Sequence, residues 1–178
     1  ISQAGASVSH NPVSNMKLAT GGFMPLPELL NEKVNVGIGT DGAASNNTLD
    51  MIESMKFTAL LHKHHRWDPC VANAQEVFDM ATIHGARALH MDDKIGSLEE
   101  GKLADIIVID FRKPHLCPCY DPVSHIVYAC RSADVYATIV NGKVLMLGGE
   151  FFTLDKEKVM ERARKEAERL TGDRVCSI

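Results

Sequence analysis

Two strand candidates separated by a helix, each stopping on a polar residue, constrain this chain more than any other feature. Residues 6–10 run into His10-Asn11-Pro12, where Pro12 can donate no ladder bond and biases Asn11 away from helix, so that strand ends at a polar loop. Residues 34–38 form the next apolar run, followed by Gly39-Thr40-Asp41 and then by Gly, Ala, Ser and Asn. Between the two, Pro25 and Pro27 sit where a helix would begin, with Leu26, Leu29 and Leu30 on its apolar face.

The alternation continues downstream. Asn47, with Asp50 three residues on, predicts a capped helix whose apolar positions are Leu49, Ile52, Met55 and Ala59. Asn73 with Glu76 predicts another, carrying Val77, Met80, Ala81 and Ile83, and helical sequence resumes over residues 86–89. Strands alternating with helices up to about residue 90 predict parallel strands covered by helices. The composition then changes, because Gly96 and Gly101 punctuate a loop before a continuous β-branched run at 104–110, the pattern of a buried strand. Residues 135–140 and 143–147 flank Asn141-Gly142, the strongest two-residue hairpin signal. Residues 155–170 are highly charged, with Val159, Ala163 and Ala167 as a narrow stripe and Gly172 at the end, which predicts a surface helix with a solvated face.

The formal net charge of −4 is mild and the basic residues are dispersed, so no stripe tracks a phosphate backbone and nucleic acid is not an expected partner. No apolar segment approaches the roughly 20 residues that span a bilayer, so a soluble, cytoplasmic protein without membrane contact is expected. Cys70, Cys117, Cys119, Cys130 and Cys176 are an odd number at irregular spacings and are expected to be reduced thiols.

In parallel α/β sheets and barrels, ligands bind at the carboxyl ends of strands. His10-Asn11 ends the first strand and Thr40-Asp41 the second, so both clusters should face one pocket, with Ser45, Asn46 and Asn47 at its rim. An Asp in that position can ligate a divalent metal, accept a proton or cap the next helix. His62, His64 and His65 fall at the far end of that helix and are expected on a solvated surface. His84, His90, His115 and His125 are isolated and carry no assigned chemistry.

Ser9-His10-Asn11-Pro12 with Ser14-Asn15-Met16-Lys17-Leu18, then the run from Gly39 to Asn47, closely resemble the amidohydrolase superfamily. Within it the resemblance is to 5-methylthioadenosine/S-adenosylhomocysteine deaminases and 5'-deoxyadenosine deaminases. Ala86-Arg87-Ala88-Leu89, residues 96–105 and Val140-Asn141-Gly142-Lys143 are also similar to that branch. The resemblance implies a TIM-like (β/α)8 barrel that holds one zinc or other divalent ion through a His-x-His pair, a later His and an Asp after the last strand. Asp41 matches that Asp, as metal ligand and as the catalytic group that passes a proton from water to departing ammonia. Hydrolytic deamination of an adenosine-type nucleoside to its inosine analogue follows, with His10, Asn11, Ser45 and Asn46 as substrate-binding candidates.

The resemblance further implies that residues 1–94 are the last β/α units of the barrel, residues 95–152 the C-terminal half of a small β-sandwich, and residues 153–178 a surface helix and tail. No His-x-His precedes Asp41, so the chain is expected to be a C-terminal fragment, inactive alone and prone to homo-oligomerise through exposed strand edges. Competing expectations are another amidohydrolase, of the guanine deaminase or triazine hydrolase type, and a non-catalytic binding or assembly module.

Overall fold

Residues 1–172 are described by a computed structural model, and Cys176 lies outside them. Strand β1 (Val8–His10) ends where Pro12 opens helix α1 (Pro12–Leu18), Pro being suited to a first helical position whose N–H needs no intrahelical partner. Helix α2 (Leu26–Asn31) buries Leu26 and leads to strand β2 (Val36–Ile38), all three of whose residues are buried. The two strands pair in parallel, Val8 opposite Val36, Ser9 opposite Gly37 and His10 opposite Ile38. Both polar strand ends therefore emerge on the same side.

A one-turn helix, α3 (Ala43–Asn46), separates β2 from the long helix α4 (Met51–Arg66). Asn47 does not cap α4 as expected: it adopts left-handed backbone, φ 73°, and closes α3, while Asp50 accepts the Glu53 N–H and caps α4. The inserted turn displaces the cap by three residues. Along α4, Ile52, Met55, Ala59 and His62 lie on one buried face. Ser54 and Thr58 are buried too, each donating its hydroxyl to the carbonyl four residues back, so neither leaves an unpaired polar group.

Helix α5 (Ala74–Ala81) begins with the predicted capping box, Asn73 accepting from the Glu76 N–H and Glu76 reaching back to the Asn73 N–H. Helix α6 (Ile83–Ala88) follows directly. Strand β3 (Ile106–Ile109), helix α7 (Pro122–Tyr128) and strands β4 (Val135–Val140), β5 (Lys143–Leu147) and β6 (Glu150–Phe151) complete the β-rich part, with α8 (Lys156–Thr171) after it. These strands form an antiparallel sheet in the order β3-β4-β5-β6. The β4–β5 turn has positive φ at both Asn141 (49°) and Gly142 (74°), the twist that matches a tight hairpin.

The core joins these parts. Val36, Met55, Val77 and Met80 belong to the same buried cluster as Leu116, Val127 and Cys130, so α7 and the turn before it pack with the β/α block. Strand β3 departs from its expected burial: Ile107 and Val108 are 53% and 44% exposed, because β3 is an edge strand and no described layer covers those side chains. Helix α8 has no buried residue, as its charge predicted. No helix among the described residues is long and apolar enough to cross a membrane.

Candidate active site at the end of strand β2

Asp41 is the third residue beyond β2, and its backbone is left-handed, φ 58°, a conformation that Asp tolerates better than most side chains. Its carboxylate is held from two sides. Ser14, buried on α1, donates its hydroxyl to Oδ2 at 2.6 Å, and the Gly42 N–H donates to Oδ1 at 2.7 Å. The Ser14 hydrogen bond first, then that of the Gly42 N–H, with the nearby Ser45 hydroxyl adding to them, hold the carboxyl below its ordinary pKa, while desolvation opposes them. A helix cap would accept from the second or third N–H of the helix. Asp41 instead takes the N–H of Gly42, the residue before α3, so the cap reading does not describe it.

The rim around it is braced from α1. Lys17 Nζ donates to the Ala44 carbonyl at 3.1 Å and to Asn47 Oδ1, tying α1 to α3, the one-turn helix that follows Asp41. Asn46 is buried, its amide donating to the Thr40 carbonyl at 2.6 Å and accepting from Thr48. Ser45 is half-buried and donates to the Gly42 carbonyl at 2.9 Å. Asn11, also half-buried, lies over Gly39, where a Cβ would stand 2.3 Å from Asn11 Oδ1. Only glycine permits that approach without displacement.

His10 turns away from this rim. Its ring is 2% exposed and faces α4, where its Nε2 lies 3.1 Å from Nε2 of His62. His62 is therefore not on a solvated surface; it is wholly buried, because it continues the apolar stripe Ile52, Met55, Ala59 on the buried face of α4, where it meets His10 at the end of β1. His64 and His65 are exposed as expected, with His65 stacked on Phe23. Burial drives the pKa of both His10 and His62 down to about 4, the facing His62 adding to the effect on His10, and Arg66 and His65 to that on His62.

Among the described residues no three His, Cys, Asp or Glu side chains converge on one point. The described residues fit a divalent metal only as the donor of a single ligand, and Asp41 suits that part: an exposed carboxylate, kept ionised by neutral donors, at the carboxyl end of a parallel strand. The amidohydrolase family model matches residues 1–145. The chain belongs to the amidohydrolase family.

Its relatives include a 5-methylthioadenosine/S-adenosylhomocysteine deaminase of Thermococcus onnurineus, 59% identical over 152 residues, which cover 85% of this chain and 35% of that protein. A 5'-deoxyadenosine deaminase of Methanosarcina acetivorans is 50% identical over 170 residues, covering 96% of this chain and 39% of that one. In three dimensions this amidohydrolase chain superposes on an adenosine deaminase from Xanthomonas campestris with bound zinc at a TM-score of 0.90 and 36% identity, covering 94% of this chain and 38% of that one. The chain thus spans well under half the length of the proteins it matches. Ser14, Lys17 and His62 were not predicted as site residues. For His62 the signal was present, since it lies three residues beyond Ala59 on the stripe, but the polar run His64-His65-Arg66 obscured it.

Proposed function

We propose that this chain supplies the last β/α units and metal-binding aspartate of a hydrolytic deaminase acting on adenosine-type nucleosides, such as 5-methylthioadenosine, S-adenosylhomocysteine or 5'-deoxyadenosine. The observation that carries the reading is Asp41, an ionised carboxylate fixed at a parallel strand end by Ser14 and Gly42, in a chain 50% to 59% identical to deaminases of those nucleosides. Zinc or a similar ion, one per active site, would supply water activated to a pKa of about 7. Asp41 would have two tasks: one oxygen would contribute to holding the ion, and the carboxylate would accept a proton from water and pass it to the amino group that leaves as ammonia. Asn11 and Ser45, half-buried at the rim, would bond the nucleoside, whereas His10 and Asn46, both buried, would act by holding the strand end and the turn.

The domain reading follows from uncovered surfaces. The β1–β2 sheet has two strands, which cannot close a barrel, and a cavity of about 990 Å³ opens along it between Ile38, Phe78, Leu89 and Ile107. This supports residues 1–94 as one end of a larger barrel. Exposed Ile107, Val108, Val144 and Leu147 support residues 95–152 as one half of a sandwich that another layer would cover. Helix α8, with no buried residue, supports a surface helix as the described part of residues 153–178. The same apolar surface favours homo-oligomerisation of the isolated chain.

The test is ammonia release from the three nucleosides by a zinc-loaded polypeptide that extends this chain to the length of its relatives. Release from at least one, abolished by Asp41→Asn, is expected; no release from any of them refutes the reading.

A further inference from the structure

We propose that His62 is a positioning residue for the Asp41 site, holding it from α4 through His10; this rests on the reading of Asp41 as a metal ligand. The contacts form a closed ring. Asp41 leads through α3 into α4, and α4 carries His62 back to the end of β1, where its Nε2 meets Nε2 of His10 at 3.1 Å. The His10 carbonyl accepts the Gly39 N–H at 2.9 Å, and Gly39 stands two residues before Asp41. From the same His10 the chain turns into α1, whose Ser14 hydroxyl reaches Asp41 Oδ2. The strand that precedes Asp41 and the helix that clamps it thus both depend on His10, and His62 is the side chain that bonds its ring.

The chemistry of the pair separates this role from ordinary packing. One hydrogen bond between two Nε2 atoms requires a proton on one and a bare lone pair on the other, so the accepting ring carries its proton on Nδ1. Both rings are buried, and among the described residues neither Nδ1 has a partner. A buried pair with two unanswered nitrogens stabilises less than an apolar contact of the same size. What it adds over leucine is direction: a single bond sets the rotation of the His10 ring, and with it the strand end.

The experiment measures zinc affinity by chelator competition in a polypeptide extending this chain to the length of its relatives. His62→Leu should weaken zinc binding about tenfold or more, the range seen when residues that orient metal ligands are lost, while circular dichroism reports a folded metal-free protein. His62→Gln, whose amide can still bond His10, should restore most of the affinity. If His62→Leu does not fold, His62→Asn, whose amide is too short to reach His10, carries the same expectation. Wild-type zinc affinity in a folded His62→Leu or His62→Asn protein overturns the proposal, even if thermal stability falls, because that is the result of a purely structural contact. Asp41→Asn tests the underlying reading separately: unchanged affinity there removes Asp41 from the metal site.

Discussion

Ser14 on α1 and Asp41 beyond β2 are joined by a 2.6 Å hydrogen bond between groups 27 residues apart, one buried and the other open to solvent. The bond explains how an exposed carboxylate keeps one orientation. Its two oxygens are engaged by neutral donors, so no neighbouring cation competes with a metal for the charge. Ser14→Ala should therefore leave the fold intact and raise the Asp41 pKa towards its ordinary value. Zinc affinity of a polypeptide extended to the length of the relatives should fall about tenfold, as for other losses of a ligand's orienting partner. Chelator competition beside a thermal melt separates the two effects, and unchanged affinity would show that Asp41 needs no such hold.

Gly39 allows the two strand ends to approach. A methyl group there would meet Asn11 Oδ1 at 2.3 Å and Ser9 Oγ at 2.9 Å, so Gly39→Ala should cost roughly 1–3 kcal/mol, the usual range for overpacking. Adding Asn11→Ala should return part of the loss, giving a non-additive double variant in urea unfolding. Additive costs would mean that the crowding lies elsewhere.

The parts of the fold set by local chemistry were legible in the sequence. Asn73 and Glu76 form the expected capping box and Asn141-Gly142 the expected tight hairpin, whereas Pro12, expected to open a polar loop, instead occupies the first position of helix α1. Long-range packing was less legible. Asn47 and Asp50 are both competent caps, and the choice fell to Asp50 because α3 uses Asn47 as its left-handed terminus. The β-branched run around Ile107 looks buried in sequence because its composition reports affinity for a covering layer, not the layer's presence. Asp41 was found from its place at a strand end, but its bond to Ser14 depends on how α1 folds back across that end, which no spacing encodes.

Lys63 should be more important for stability than a helix-end lysine usually is. Its ammonium donates to three backbone carbonyls, Pro69 at 2.9 Å, Val71 at 2.7 Å and Ala72 at 3.1 Å, which binds the loop after α4 to the helix terminus. Charged hydrogen bonds of this kind contribute more than neutral ones. Lys63→Met retains the length of the side chain but no donor, and should lower stability by about 2 kcal/mol in a urea titration. A loss no larger than that of an exposed lysine, such as Lys56→Met, would show that water replaces the cage.

Acid should weaken the molecule first at the His10–His62 pair. Both rings have folded-state pKa values near 4, lowered from 6.5 chiefly by burial, with His62 facing His10 and with Arg66 and His65 near His62; Glu28 opposes the shift at His62. Between those values the unfolded chain binds more protons than the folded one, so stability rises with pH across that window. The stabilisation is complete above about pH 6.5 and is lost as pH falls towards 4. Asp134, whose burial raises its pKa but is outweighed by hydrogen bonds from Lys113, His115 and the Arg131 N–H, loses its contribution only in stronger acid. Urea midpoints at several pH values should therefore drop for the wild-type chain between neutrality and pH 5, and drop distinctly less for the double variant His10→Asn, His62→Gln. An equal drop in both would assign the acid sensitivity to groups other than these two histidines.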